Sequence, residues 1–192
     1  HTKTYPCCTK PITEAHAYTD GLCVCGTVQT GAAAFNWAMK TLMGNQQGSL
    51  DISRMENMAR HIAPGAEGVL FLPTLMGWRT PYWDVNTRGC LMGFTLYHDR
   101  RHIARAVYEG VAFALNSCAE VMSECGAPMH SMMLTGGGAL LYGLDHLICD
   151  ELDIPVLLAK EPEREEENPV LYIVKTLKNI EERIAKLEKA WN

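Results

Sequence analysis

A run of three glycines is the part of the sequence best suited to contact a nucleotide. Gly136, Gly137 and Gly138 precede Ala139 and follow the strand-like run 132–135. Because glycine has no Cβ, its backbone can approach a ligand closely, and free N–H groups at the start of a following helix can bind phosphate. A tight turn from a strand into a helix also needs glycine for steric reasons. The residues by themselves therefore leave nucleotide binding and simple chain reversal equally open.

The aromatic loop 76–84 contains two further candidate side chains. Arg79 and Asp84 flank Tyr82 and Trp83, and a cation and a carboxylate beside aromatic rings could line a cleft between two domains. We prefer the alternative that Tyr82 and Trp83 anchor the loop by burial while Arg79 and Asp84 hold it through hydrogen bonds. The reason is that aromatic burial dominates the energetics of such segments.

Strand and helix patterns place these residues in an α/β domain. Continuous apolar runs predict strands, and apolar residues at helical spacing predict helices. The predicted strands cover 22–25, 68–72, 90–96, 132–135 and 155–158, and the predicted helices cover 32–42, 52–61, 99–126 and 141–152. Strands that alternate with helices are typical of a layered α/β fold. Residues 1–20 are polar and contain two prolines, so no regular structure is predicted there.

The predicted helix 99–126 is the longest element of the sequence. Asp99 is a suitable N-cap for it, and Gly126 is a suitable residue for its end. Glu109 lies near its centre. We predict that Glu109 is a structural carboxylate with satisfied hydrogen bonds rather than a catalytic group.

The composition is that of a globular protein that can bury a core. Of the 192 residues, 47% are hydrophobic and 20% are charged. The net charge of −5 and the lack of a basic stripe argue against nucleic acid or an anionic membrane surface as partners. No apolar run approaches the roughly 20 residues that a membrane span needs.

The eight cysteines allow two interpretations. Their even count could form disulfides, and Cys7, Cys8, Cys23 and Cys25 with His16 could be drawn as a metal site. We instead predict reduced, structural cysteines in a cytoplasmic protein, because a chain with a large core does not need disulfides and the sequence has no C-x2-C pair. The sequence therefore assigns no metal ligand.

The last part of the chain differs in kind from the rest. Residues 161–168 form an acidic linker, and 169–192 are predicted to be a helix that Asn168 caps and Pro169 begins. Its apolar residues alternate between spacings of three and four, as in a coiled coil. These residues are Val170, Ile173, Leu177, Ile180, Ile184, Leu187 and Trp191. We predict self-association through 170–191, and the alternative is an amphipathic helix that folds back onto the domain.

Four segments, in the same order, resemble motifs of the FGGY family of carbohydrate kinases. They are GVLFLP at 68–73, MGWRTPYWD at 76–84, the signature that runs from Gly89 through Gly110, and LTGGGA at 134–139. The sequences of these segments are most similar to those of xylulokinases, although gluconokinase-like members share many of the same residues. One departure is Trp78, which stands where the family usually has Glu.

The resemblance implies an actin-like (RNase H-like) ATPase lobe over residues 1–160, incomplete in this chain, which binds ATP with Mg²⁺. Gly136, Gly137, Gly138 and Ala139 match the family's adenosine-binding turn. In the family, a catalytic Asp and a Gly-Thr phosphate loop precede the helix that resembles 32–42. We therefore expect this chain to lack both, together with the sugar-binding lobe, and no catalytic residue is assigned.

Two functions follow as expectations. The first is that of an ATP-side lobe, whose full-length parent phosphorylates a ketopentose such as xylulose with ATP. The partners of the chain would be a nucleotide and the missing sugar-binding lobe, and the chain alone is expected to be inactive. The second is that of a non-catalytic assembly module, which would oligomerise through the heptad helix.

Overall fold

Strands and helices alternate along the part of the chain that the computed structural model describes, which is residue 10 and residues 14–18, 21–42, 52–135 and 144–158. The strands are β1 (Glu14–Tyr18), β2 (Gly21–Cys25), β3 (Leu70–Leu72), β4 (Cys90–Met92), β5 (Met132–Leu134) and β6 (Val156–Leu158). The helices are α1 (Gly31–Thr41), α2 (Ile52–Arg60), α3 (Arg100–Glu124) and α4 (Leu144–Leu152), with a 3-10 turn at Ala66–Gly68. The predicted α/β class is confirmed.

The described strands form three separate pairs. Strands β1 and β2 are antiparallel, and β3 and β4 are antiparallel with Phe71 opposite Leu91. Strands β5 and β6 are parallel, with Met133 opposite Leu157. Two parallel strands end at the same edge, so Leu134 and Leu158 lie side by side there.

Local hydrogen bonds fix both ends of α3. At its start the Asp99 side chain caps the helix, and the His102 ring accepts the Asp99 N–H at 3.0 Å, which completes a capping box. At its end Gly126 has a φ of 81°, and the Ala127 N–H donates to the Met122 carbonyl at 2.9 Å. Both predicted helix ends are therefore confirmed.

The core of the described region lies where α1, α2, α4 and β3 pack on α3. Val107 and Ile148 are fully buried, and the Phe35 and Tyr108 rings meet edge to face with centroids 4.8 Å apart. Burying a side chain of this size contributes about 1.5–3 kcal/mol. On α3 the buried side chains that join this core include Ala106, Val107 and Val111.

Helix α3 lies close to β3 because residue 110 is glycine. A Cβ at Gly110 would lie 2.2 Å from the Phe71 carbonyl oxygen, well inside normal contact distance. Phe71 is buried beneath Trp37, whose ring stacks on it with centroids 5.8 Å apart. A single missing Cβ thus lets helix α1, strand β3 and helix α3 form one packed layer.

Three predicted boundaries are wrong. The predicted strand 68–72 begins only at Leu70, because Gly68 belongs to the 3-10 turn. Residues 14–18 form β1, although 1–20 were expected to be irregular. The sequence of β1, EAHAY, alternates over only five residues and contains just two alanines as apolar residues. Every residue of this strand is paired with the more apolar β2. The predicted strand 90–96 ends at Met92, because Gly93 turns the chain with a φ of 88°.

The cysteine prediction is also wrong in one respect. Cys125 is disulfide-bonded, whereas all eight cysteines were expected to be reduced. The thiols of Cys90, Cys118 and Cys149 are free. Burial raises the pKa of Cys118 to about 11, so this thiol behaves as a small apolar group. Sequence spacing could not reveal the disulfide, because pairing depends on proximity in the folded chain.

The acidic linker 161–168 and the heptad helix 169–192 lie outside the described residues, so the coiled coil and self-association stay predictions. The same holds for the cytoplasmic location. Among the described helices, none combines the length and apolar character that crossing a bilayer requires.

Candidate functional site

The parallel pair β5–β6 positions the glycine run. The Met132 N–H donates to the Pro155 carbonyl at 2.9 Å, which fixes the register at the start of the pair. Leu134 lies opposite Leu158 at its other end. Strand β5 ends at Leu134, two residues before Gly136 in the sequence, at the carboxyl edge of two parallel strands. This edge is where α/β proteins of parallel topology bind their ligands.

Helix α4 closes the strand–turn–helix unit and ties it to the core. Leu144 at its first position and Ile148 one turn later are both buried, and they belong to the cluster that packs on α3. The two ends of the glycine segment are therefore fixed on a rigid base. Gly136, Gly137, Gly138 and Ala139 themselves lie outside the described residues, so their nucleotide contacts stay a prediction.

The aromatic loop is closed by its own backbone. The Trp78 N–H donates to the Asp84 carbonyl at 2.8 Å, and the Trp83 N–H donates to the Arg79 carbonyl at 2.6 Å. Arg79 and Asp84 thus stand near the two ends of one small loop. The predicted pair is brought together by main-chain bonds rather than by a bond between the two side chains.

The carboxylate of Asp84 stabilises the turn that follows the loop. It accepts the Asn86 N–H and the Thr87 hydroxyl, each at 2.8 Å. These two bonds hold the pKa of Asp84 below its usual value, with the Asn86 N–H as the largest cause. The side chain is exposed and remains ionised at neutral pH. It therefore has a local structural role, in the manner of an Asx turn.

Arg79 presents an exposed cation beside exposed aromatic rings. Tyr82 is 62% exposed and Trp83 is 46% exposed. The expectation that Tyr82 and Trp83 anchor the loop by burial is therefore wrong. Within the described residues, Arg79 has no side-chain hydrogen bond or ion pair. Whether Arg79 and Asp84 line a cleft between domains stays a prediction.

The anchor of the loop is Thr80, which sequence reasoning missed. Thr80 is completely buried, and its hydroxyl accepts the Thr27 N–H at 3.2 Å. Its carbonyl accepts the Trp78 indole N–H at 2.9 Å and faces the Cys118 thiol at 3.7 Å. The available sequence signal was a small polar residue between Arg79 and Pro81. The prediction instead favoured the large aromatic residues as anchors.

Glu109 makes structural hydrogen bonds, as predicted, but through only one of its two carboxylate oxygens. It is 5% exposed, and its Oε1 accepts the Gly65 N–H at 2.8 Å and the Arg105 Nε–H at 2.6 Å. These bonds connect the turn before β3 to the middle of α3. Its Oε2 has no hydrogen-bond partner among the described residues.

Comparison with known proteins agrees with this geometry. A model of the FGGY family of carbohydrate kinases, C-terminal domain, matches residues 3–165. The chain belongs to the FGGY family of carbohydrate kinases. The matched region contains all four segments that carry the resemblance, so that prediction is confirmed.

Relatives and solved structures of FGGY kinases agree with this assignment. A xylulose kinase of Bacillus subtilis is 32% identical over 124 residues, which cover 65% of this chain and 24% of the relative. A ligand-bound xylulose kinase from Lactobacillus acidophilus matches with a TM-score of 0.67 at 26% identity, over 84% of this chain and 32% of that one. A Plasmodium falciparum glycerol kinase solved with ADP matches at 22% identity with a TM-score of 0.71, over 84% of this chain and 32% of that one. This match shows a common fold.

The likeness to FGGY kinase structures confirms the predicted actin-like ATPase fold for the matched region. The chain spans only 24% of the Bacillus subtilis relative. A substrate or an activity of such a longer protein is therefore a proposal for this chain.

Proposed function

We propose that this chain is the ATP-side lobe of a sugar kinase and contacts the nucleotide through Gly136, Gly137, Gly138 and Ala139. The observation that carries the proposal is the parallel pair β5–β6, whose carboxyl edge leads into the glycine run. Family membership supports it, because the match to the FGGY model includes this segment.

The glycine run suits a nucleotide, and the family resemblance implies that the nucleotide is bound with Mg²⁺. The strand before the glycine run and the helix after it both pack on the core. Glycine backbone N–H groups can approach a phosphate closely. In phosphoryl transfer Mg²⁺ neutralises charge on the β- and γ-phosphate oxygens. The role of this chain is to bind and orient the adenosine end.

The substrate of the longer protein is proposed to be a ketopentose such as xylulose. The similarity to the Bacillus subtilis xylulose kinase supports this choice. Transfer to a sugar hydroxyl requires a general base, and no residue of this chain is assigned that role. We therefore expect the isolated chain to bind nucleotide without phosphorylating a sugar, until it is combined with a sugar-binding lobe.

Calorimetric titration of ATP with Mg²⁺ into the purified chain tests nucleotide binding. The wild-type chain should bind, and Gly137→Val should abolish the heat because a branched side chain blocks backbone approach. Gly31→Val is the matched control, since a Cβ at Gly31 meets nothing within 4 Å. Equal binding by the wild type and Gly137→Val, or no heat from the wild type, would refute the proposal.

The second candidate function is assembly through the heptad segment 170–191. The alternating spacing of its apolar residues favours it. Sedimentation should show an oligomer whose mass falls to that of the monomer with Leu177→Lys, which places a charge in the seam. Asn179→Lys adds the same charge outside the seam and should leave the mass unchanged. A monomeric wild type would rule this function out.

A further inference from the structure

Two imidazoles and a carboxylate come together where the 66–68 turn, the loop after β4 and the start of α3 meet. Glu67, His98 and His102 each offer one ligand atom, and these atoms lie within 4.8 Å of one another. We propose that this cluster is a binding site for a divalent transition-metal ion of the Zn²⁺ type. The site is independent of the nucleotide proposal, because none of its residues belongs to the glycine turn.

The donor set and spacing suit such an ion. Imidazole nitrogen and carboxylate oxygen bind Zn²⁺ at about 2.0–2.2 Å, which places tetrahedral ligands about 3.3–3.5 Å apart. The His102 Nε2 already lies 3.5 Å from the Glu67 Oε2. The His98 and His102 rings are 4.9 Å apart between centroids and inclined by 64°, so they converge without stacking face to face.

Closure onto an ion requires movement of Glu67 and His98, the two less buried members of the cluster. The Glu67 side chain is 60% exposed, whereas that of His102 is 6% exposed and held by the packing of α3. The ligand atoms are at most 4.8 Å apart, so closing the cluster to tetrahedral spacing requires shifts of about an ångström. Three protein ligands leave a fourth position for water, and two imidazoles favour Zn²⁺, Co²⁺ or Ni²⁺ over Mg²⁺ or Ca²⁺.

A second layer of contacts is available to orient both rings. The His102 Nδ1 lies 3.1 Å from the Asp99 carboxylate, the arrangement in which a carboxylate orients a metal-binding histidine. The His98 Nδ1 lies 2.8 Å from the Thr95 N–H and 3.3 Å from the Thr95 hydroxyl. Because the Thr95 N–H donates to the His98 Nδ1, ligation through the His98 Nε2 requires the ring proton to move to Nδ1. Nδ1 would then give up the Thr95 N–H and donate to the Thr95 hydroxyl. In that tautomer both rings offer Nε2 as the ligand atom.

Metal binding would exchange one hydrogen-bond pattern at His102 for another. Without metal, Nδ1 accepts the Asp99 N–H in the capping box, and Nε2–H faces Glu67. With metal, Nε2 gives its lone pair to the ion, and the proton resides on Nδ1 and is donated to the Asp99 carboxylate. No proton is gained or lost by the ring in this exchange, because only the tautomer changes.

The capping box alone does not account for the cluster. Capping needs Asp99 and His102, whereas His98 and Glu67 come from two other segments. An ion would join these segments to α3 and fix the exposed loop that carries Leu96 and Tyr97, which are 103% and 90% exposed. The site would therefore stabilise the surface beside the start of α3.

Titration of Zn²⁺ and Co²⁺ into the chelator-treated full chain tests the proposal. One ion should bind per chain, and Glu67→Gln and His98→Gln should each weaken binding by at least about 10-fold, the loss that removal of even an orienting partner causes. His130→Gln and Glu120→Gln remove the same groups from other exposed positions, and they should bind like the wild type. Unchanged affinity in both cluster variants would overturn the proposal.

The two cluster variants are chosen so that a loss of metal binding cannot result from misfolding of α3. Neither Glu67 nor His98 belongs to the capping box, so both variants should keep the wild-type circular dichroism. The Co²⁺ spectrum distinguishes this site from a cysteine site, because thiolate ligands add a near-ultraviolet charge-transfer band that nitrogen and oxygen ligands lack. A bound Co²⁺ with that band, insensitive to Glu67→Gln, would refute the assignment, and so would the absence of binding.

Discussion

Helix α3 and the aromatic loop 76–84 are neighbours that are held in place by different forces. The helix is fixed by burial, since Val107, Val111 and other apolar side chains on one face are almost inaccessible. The loop is fixed by hydrogen bonds to the buried Thr80, while the Tyr82 and Trp83 rings remain exposed. Large apolar residues therefore hold a segment in place only where a packing surface lies opposite them.

The largest loss of unfolding free energy is expected where α3 contacts β3. Gly110→Ala would place a Cβ 2.2 Å from the Phe71 carbonyl oxygen. Overpacking of this kind costs typically 1–3 kcal/mol, and we expect a loss of about 3 kcal/mol in urea unfolding, although alanine has the better helix propensity. Gly31→Ala, whose Cβ meets nothing within 4 Å, should be neutral or stabilising. A fully stable Gly110→Ala would contradict the packing account.

A smaller loss is expected at the anchor of the loop. Thr80→Val keeps the volume of the side chain but removes the acceptor of the Thr27 N–H. Loss of one partner of a buried hydrogen bond costs about 1–3 kcal/mol. The measurement is again urea unfolding. Thr41→Val, at an exposed position of α1, should change stability by no more than about 0.5 kcal/mol, and similar losses in both variants would show that Thr80 is no anchor.

The cap of α3 should make stability depend on acidic pH. The pKa of Asp99 lies well below its usual value, chiefly because Arg101 donates a side-chain hydrogen bond to it. A lowered folded-state pKa gives a contribution that is present above the unfolded pKa of about 3.9 and is lost as pH falls through the folded pKa.

Asp99→Asn keeps a good N-cap, so at pH 7 it should cost less than about 1 kcal/mol. Its unfolding free energy should fall less steeply than that of the wild type below about pH 4, near the unfolded pKa. Asp150→Asn, exposed on α4, is the control and should follow the wild-type curve. Parallel curves for Asp99→Asn and the wild type would contradict the role of this carboxylate.

The smallest effect is expected at the turn after the loop. Asp84→Ala removes the acceptor of the Asn86 N–H, so hydrogen exchange at that amide should accelerate while the urea midpoint stays unchanged. Thr87→Val removes only the hydroxyl bond to the same carboxylate and should leave the Asn86 amide protected. Equal exchange in all three proteins would show that the carboxylate does not hold the turn.

The sequence was sufficient to predict the helices and strands that form through burial of an apolar face. Apolar spacing and capping residues predicted α3 with both of its ends, because each signal is local. They could not predict β1, every residue of which is paired with β2, or the end of β4 at Gly93, which depends on a close approach to the Gly68 carbonyl. The disulfide of Cys125 likewise depends on tertiary proximity.

Functional and structural residues were likewise predicted only where the signal is local in the sequence. The structural role of Glu109 followed from its position in the middle of a helix. The buried Thr80 and the convergence of Glu67 with His98 and His102 needed contacts between segments that are distant in the sequence. The spacing of four between His98 and His102 was a usable signal, but Glu67 could not be assigned to it without the fold.

The central claim is that nucleotide binds at the carboxyl edge of β5. Hydrogen exchange of the full chain, measured by mass spectrometry with and without ATP and Mg²⁺, tests it at the level of the backbone. The account predicts slower exchange in peptides that contain residues 135–144, with no change in the β1–β2 hairpin. Unchanged exchange in 135–144 at saturating nucleotide, or protection confined to other segments, would contradict it.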